Sequence, residues 1–551
     1  MSAVAQLADE LFEVMCDHNP VFATVTGLRE RDHLLGGHTD EVRERFAARY
    51  TDIAARARAL PADELGAEDA VTRAVIVQSA ESALDQIDVR TDDFTVTDDF
   101  VAPYADLLNT LPMVVCQTPE QTRAYLARLA EIPRVLDELG QRNLLAVADG
   151  LLPVAHLTRG AIDYLDRYLA DPEGDVLRRP VSDEEFLPEL DRVLTEQVRP
   201  AYAEYRRLLA EQVLPHGRPE DRPGLCWLPD GESRYAKLAR VHTTTDHEPR
   251  ELHRIGLDLI AELAEEYKEI GSRLWGTTDL AEIFGRMRTD PALRWRDGEE
   301  MIAAAEAAVA KAEAAAPQWF GHLPETPCQV LAVPAAEAPA APAAYYMWPS
   351  LDGSRPGTYF LNTYEATERF RFACEALAYH EAVPGHHFQL TVSQQLTDLP
   401  MLRRVSVVTA FAEGWGLYTE RLAEEMGLYS DDVARLGMLS MDSMRAARLV
   451  VDTGLHALGW SRQQTVDYLV ENTPMPLVEI SSETDRYISY PGQALAYMVG
   501  RLEIQRLRAE AERELGDRFD IRGFHDLVLG GGSLPLSVLA DVVAAWVAEQ
   551  G

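Results

Sequence analysis

Residues 380–387 read His380-Glu381-Ala382-Val383-Pro384-Gly385-His386-His387, three imidazoles beside one carboxylate. Neutral imidazole nitrogens ligate zinc, and a glutamate next to a ligand can take a proton from an attacking water. The usual form of such a segment is H-E-x-x-H, in which histidines four residues apart share one helix face. Here the spacing is six or seven residues. In a regular helix His386 lies roughly 240° around and about 9 Å along from His380, and His387 about 10.5 Å along. Neither pair could close on one ion with bonds of about 2.0–2.1 Å. Pro384 lacks the N–H that the carbonyl of His380 needs, and Gly385 tolerates unusual dihedrals, so a kink is expected between the histidines. It would return His386 towards His380 as the second ligand, with His387 as the competitor. Three histidines beside a Glu, in a chain with 14 histidines, speak for a metal site rather than an ordinary kinked helix.

Catalytic zinc keeps three protein ligands and one open position. The third candidate is Glu413 in Phe411-Ala412-Glu413-Gly414-Trp415-Gly416-Leu417-Tyr418, among apolar neighbours where a lone carboxylate would be costly. Helix capping, or pairing with Arg403 or Arg404, is the alternative. Glu420, seven residues on, falls on a similar face and could hold a ligating histidine from behind.

Hydrolysis at zinc also needs a donor for the developing oxyanion. Arg486, Tyr487, Tyr490 and Tyr497 cluster around Pro491-Gly492-Gln493, and Tyr487, Arg486 and Tyr497 are the candidate catalytic donors, with aromatic packing as the plainer reading. Arg445, Arg448, Asp452 and His456 recur at three- and four-residue spacing on one face of an apolar helix. Arg445, Arg448 and His456 are candidate substrate-binding residues, an arginine fork being suited to a carboxylate. A buried salt-bridge network is the alternative. Tyr359 and Asn362, in a β-prone stretch, could bind an extended peptide by strand addition.

Helical elements must position these groups. Residues 119–147, 184–213, 248–274, 297–315, 365–396, 403–426 and 432–459 place apolar side chains at three- and four-residue spacing. The fold class is therefore mainly α. The Ala-rich run 301–316 reads as a solvent-laced helix, 218–238 as turn-rich, and 332–344 as an extended Pro/Ala-rich surface segment. Residues 343–364, with Asp352-Gly353 as a turn, read as a small hairpin or edge strands just before the histidine helix. The chain divides into an N-terminal helical region, 1–240, and a C-terminal catalytic region, 241–551, or forms one continuous body.

The 551 residues carry 52 Lys and Arg against 90 Asp and Glu, a net charge of −38 that speaks against nucleic acid or anionic membrane as partner. Cys16, Cys116, Cys226, Cys328 and Cys374 are scattered, which argues against a disulfide framework or a cysteine-rich zinc module. Residues 1–20 are acidic and amphipathic, unlike a secretory signal, and no apolar run approaches the ~18–20 residues of a membrane span. A cytoplasmic location is expected.

AYHEAVPGHHFQ, FAEGWGLYTERLAEEMG, MRAARLVVDTGLHALGW and RYISYPGQALAYMVG, in that order, resemble the signatures of the bacterial DUF885 family, a domain family of unknown function regarded as metallopeptidase-like. GLCWLPDGESRYAKL and DGSRPGTYFLNTY extend the likeness over nearly the whole chain. The resemblance implies a large helical fold like that of zinc carboxypeptidases and oligopeptidases, with a central channel. It also implies His380, His386 and Glu413 as ligands and Glu381 as general base. The expected function is then zinc-dependent hydrolysis of a short peptide or other amide, with one Zn2+ ion. A two-histidine, one-carboxylate set also suits Fe2+, so a metal enzyme acting on a small molecule in a biosynthetic pathway is a second expectation. An inactive binding scaffold is a third, which the presence of Glu381 argues against.

Overall fold

A computed structural model of the chain describes residues 2–335, 338, 341–351 and 355–550. Most of the apolar periodicity becomes helix, although the 403–426 run breaks at residues 406–408 into Met401–Val405 and Thr409–Glu425. Pro249–Trp275 packs along Asp432–His456, and Thr409–Glu425 along Leu495–Leu515. The second pair approaches closely because both partners present glycine. A Cβ on Gly414 would sit 2.4 Å from the Cα of Gly500, and one on Gly500 would sit 1.9 Å from the carbonyl oxygen of Ala410. Mainly α is the architecture, with one small sheet.

Several expected helices are subdivided. The 119–147 run is two helices, Pro119–Ala130 and Ile132–Ala148, the second with proline in its first turn. The 184–213 run carries two π-turns, at Leu194–Val198 and Leu209–Val213. Within the turn-rich stretch, a helix already starts at Gly231. The Ala-rich helix Gly298–Ala315 is not wet all round: Met301, Ala305, Ala308, Val309 and Ala312 are buried, and it packs on the helix Cys374–Glu381. Its small side chains permit that approach.

Apolar side chains on the two sides of residue 240 interleave. One core joins Val4, Leu11, Tyr50 and Ile76 to Tyr359, Phe388, Trp415 and Ile504. Another joins Val89 and Tyr235 to Leu417, Leu449 and Tyr487. A third, around Tyr104, Leu129, Leu165 and Tyr202, is built from the N-terminal region alone.

The sheet has the order β1-β3-β2, where β1 is Gln329–Ala332, β2 Ala344–Met347 and β3 Thr358–Leu361. β2 and β3 are antiparallel, Ala344 facing Leu361 and Met347 facing Thr358, as the hairpin reading expects. The Asp352-Gly353 turn lies outside the described residues. β1, parallel to β3 with Gln329 facing Thr358, was not apparent from the β-prone patches. It changes the meaning of the sheet. β3 is the central strand, hydrogen-bonded on both edges, so the strand carrying Tyr359 has no free edge for a peptide. The sheet packs β2 on Cys374–Glu381 and β1 on Gly298–Ala315.

Candidate metal centre

The histidine segment breaks where a kink is expected. One helix ends at Glu381, Ala382 takes φ −106°, ψ −100°, and Gly385 takes φ −78°, ψ −128° before a second helix starts at His386. The 365–396 run is thus two helices, Cys374–Glu381 and His386–Gln395, joined by a turn. Glycine is required at 385 by space: a Cβ would lie 1.9 Å from the His380 carbonyl oxygen and 2.4 Å from that of Tyr379. The turn is tied to the helix carrying Glu413, because Trp415 Nε1 donates to the Pro384 carbonyl over 2.9 Å. Thr419 Oγ1 on that same helix donates to the Tyr379 carbonyl over 3.1 Å. Helix, turn and helix are thereby held in one register.

This framework brings together His380, His386 and Glu413. The imidazoles stand almost perpendicular, at 84°, with centroids 4.7 Å apart. Glu413 Oε2 lies 3.5 Å from the Nε2 of each histidine, and the three ligand atoms all fall within 4.8 Å of one another. Tetrahedral zinc with bonds of about 2.0–2.1 Å separates its ligand atoms by about 3.3–3.4 Å. The donor types and the two carboxylate-to-imidazole spacings therefore suit one tetrahedral ion with a fourth position left over. Arg403 and Arg404 do not compete for Glu413: Arg403 donates to the Gly531 carbonyl and Arg404 to that of Gln394.

His380 Nδ1 lies 2.8 Å from Glu420 Oε1, so the carboxylate orients the ring and leaves Nε2 towards Glu413. Burial alone would depress the His380 imidazole, but the carboxylates of Glu413 and Glu420 outweigh it and lift it to about 10. Burial likewise works to raise the Glu413 carboxyl, yet His380 and His386 hold it well below the usual range. The site thus concentrates charge that either protons or a divalent cation can balance. Gly416 makes room for the ring, since a Cβ there would meet His380 Cε1 at 2.7 Å.

Between the two candidates for second ligand, the turn selects His386. His387 is 1% exposed and turns away, with Nδ1 2.9 Å from the Tyr346 hydroxyl and Nε2 2.9 Å from the Thr326 carbonyl oxygen. Both ring nitrogens are engaged, and burial pushes the imidazole down to about 4. His387 pins the sheet to the second helix.

Glu381, the last residue of the first helix, is half-buried and close enough to the Tyr359 and Cys328 side chains to influence both electrostatically. Tyr359 is fully buried, and its hydroxyl has no hydrogen-bond partner among the described residues. So deeply buried a side chain offers nothing to a substrate strand. Asn362 is fully committed to the fold: Nδ2 donates to the carbonyls of Ala338 and Ala341, and Oδ1 accepts from the Tyr364 amide. It has nothing left for a substrate.

Of the Tyr/Arg cluster, one member faces the carboxylates. Tyr497 is partly exposed, and burial and the nearby Glu413 raise its phenol, against the arginines 448, 486 and 445. Tyr487, at 1% exposure, accepts from Arg448 Nε over 3.0 Å and is a core residue rather than an oxyanion donor. Arg486 spends its donors on Glu483 and Gln493, at 3.1 and 2.8 Å, and so braces the wall instead of reaching a reacting group. Tyr490 packs edge-on to Phe100 and His242. Glu483, which pairs with both Arg448 and Arg486, was not among the candidates, although its i, i+3 spacing to Arg486 signalled it.

His456 is a structural residue. Its Nδ1 accepts from the Leu225 amide over 3.1 Å, so Nε2 carries the proton and donates to the Tyr487 carbonyl over 2.9 Å. Asp452 is equally buried, accepting from the Tyr235 hydroxyl at 2.5 Å and from the Gly492 amide at 3.1 Å. The polar stripe on this helix thus divides, with Asp452 and His456 closing the fold at one end and Arg445 and Arg448 near Tyr497 at the other.

Among known proteins, the family described as "Bacterial protein of unknown function (DUF885)" matches residues 20–543. The crystal structure of a candidate lipoprotein from Colwellia psychrerythraea is similar over 99% of both chains, with 26% identity and a TM-score of 0.92. A candidate lipoprotein of unknown function from Shewanella oneidensis shares the fold over 99% of this chain and 100% of its own, at 18% identity and a TM-score of 0.79. No curated protein matches.

Proposed function

Starting from a chain that belongs to the DUF885 family of bacterial proteins of unknown function, we propose that it is a zinc-dependent hydrolase that cleaves an amide bond in short peptides. One observation carries the reading: two histidine Nε2 atoms, each 3.5 Å from the same glutamate oxygen, with another glutamate adjacent in sequence to the first histidine. A purely structural site needs no such neighbour.

Zinc held by His380, His386 and Glu413 would supply Lewis acidity, polarising the scissile carbonyl and lowering the pKa of a water. Glu381 accepts the proton of the attacking water and passes it to the leaving nitrogen, which fits a carboxylate that is half-buried and not tied into an ion pair among the described residues. Tyr497 supplies a hydroxyl to the carbonyl oxygen as its charge grows. Glu420 keeps the His380 ring in its ligating tautomer.

The test has two parts. The purified chain should take up one zinc per molecule and Glu413→Ala should not. A peptide-library digest should show cleavage by the zinc-loaded chain and none by Glu381→Gln, which keeps its metal. Full activity of Glu381→Gln would sink the base assignment. The same donor set suits Fe2+ in an enzyme of small-molecule metabolism; that reading calls for dioxygen-dependent turnover and iron as the metal recovered from cells. A cytoplasmic site of action is part of the proposal. It is supported by five cysteines that are all free, and cell fractionation tests it against the lipoprotein description of the relatives. No described helix is long and apolar enough to cross a membrane.

A further inference from the structure

Three helices converge beside the metal centre: Asp432–His456 brings Arg445 and Arg448, Leu477–Ser489 brings Glu479, Glu483 and Arg486, and Leu495–Leu515 brings Tyr497. Arg445 and Arg448 share one aromatic face, their guanidinium carbons lying 5.6 and 4.6 Å from the Tyr497 ring centre. Both arginines are buried, 6% and 5% exposed, and each retains a donor without a partner among the described residues: Nε of Arg445 and Nη1 of Arg448. A charged N–H buried without a partner is costly, so such a pair points at something that fills it.

The charges say what. Glu483 is 2.8 Å from Arg448 and 3.1 Å from Arg486, and one carboxylate cannot balance two guanidiniums. Arg445 has no ion pair among the described residues; its one hydrogen bond is to the Met441 sulfur, a weak acceptor, at 2.9 Å. Glu479 is exposed to water, yet its carboxyl is raised by desolvation and by Glu483 against the pull of the arginines. The three guanidiniums of Arg445, Arg448 and Arg486 thus face the two carboxylates of Glu479 and Glu483, a surplus of positive charge inside a chain whose net charge is −38.

We propose that Arg445 and Arg448 take up a carboxylate of the substrate, so that the preferred substrate is a peptide with a free C-terminus placed across Tyr497 from the metal. The inference rests on the hydrolase reading for its direction, but the anion site can be measured without turnover. In zinc-loaded Glu381→Gln, calorimetric titration with N-acetyl-alanyl-alanine and with its C-terminal amide should show the acid binding at least tenfold more tightly. Adding Arg445→Gln should shrink that difference below threefold while zinc content stays at one per chain. Arg445→Lys, which keeps the charge and loses the Nε donor, should fall between them and decides the matter where the Gln variant folds poorly. Equal binding of acid and amide, or an undiminished preference after loss of Arg445, overturns the proposal even if peptides are cleaved. A clear acid preference in a protein that cleaves no peptide leaves the anion site standing and removes only the hydrolase.

Discussion

His380 is gripped from both sides by one helix: Glu420 Oε1 lies 2.8 Å from its Nδ1, and Glu413 Oε2, seven residues earlier, lies 3.5 Å from its Nε2. Two turns of a single helix thus set ring orientation and metal ligation together. Replacing Glu420 by Gln leaves an acceptor for Nδ1 but removes the charge that raises ligand basicity. Zinc affinity should fall about 10–100-fold, the usual cost of such a change. Chelator competition measures it, and an unchanged affinity would show that Glu420 serves the fold alone.

The neighbouring histidines should separate cleanly. His386→Ala removes a ligand whose side chain is 13% exposed, so the metal is lost while the metal-free chain unfolds at nearly its original temperature. His387→Ala keeps the metal and removes two part-buried hydrogen bonds, to the Tyr346 hydroxyl and the Thr326 carbonyl, at about 1–3 kcal/mol together. Zinc content and thermal unfolding of the two variants, compared side by side, would reverse if His387 were the ligand.

What could be read ahead of the structure was chemistry carried by residue type. His380, Glu381 and Glu413 stood out because metal ligation and proton transfer need those groups, and Glu420 followed from helical spacing. The break at Pro384-Gly385 was visible, but adjacent residues leave a turn in different directions, so the choice between His386 and His387 belonged to the path of the backbone. Tyr359 and Asn362 were misread because alternation marks a strand without showing its place in the sheet, and β1, which covers the second edge of β3, joins from some thirty residues upstream. His456 and Tyr487 look functional on a helical projection; only contacts to Leu225 and Arg448 reveal them as internal struts.

Gly416 offers a test of how tightly the imidazole is seated. A methyl group there would approach His380 Cε1 to 2.7 Å and both ring nitrogens to 3.0 Å. Alanine is favoured over glycine within a helix by about 1 kcal/mol, so Gly416→Ala should not unfold the chain. It should displace the ring, and misplacement on the ångström scale costs about a hundredfold in turnover. Loss of metal or activity with an unfolding temperature within a few degrees of the parent is the expected pair of results; retained zinc affinity and turnover would mean that the ring has slack.

Asp452 makes the stability depend on pH in a direction opposite to the common carboxylate. Burial raises its carboxyl to about 7, against hydrogen bonds from Tyr235 and the Gly492 amide and the charges of Arg486 and Arg448. The unfolded chain releases this proton near the ordinary value of 3.8, whereas the folded chain keeps it until about 7. Between those limits the native state binds more protons than the unfolded state, so this group's contribution to stability falls as pH rises and levels off above 7. Asp452→Asn retains an acceptor for Tyr235 and Gly492 and has nothing to titrate. Denaturant unfolding of both proteins from pH 4 to pH 8 should therefore show the variant gaining on the parent across that window, with no further gain above it. A stability difference that stays constant, or a variant that loses ground to the parent as pH rises, would mean that Asp452 is already ionised in the fold and is stabilised there by Arg448 and Arg486.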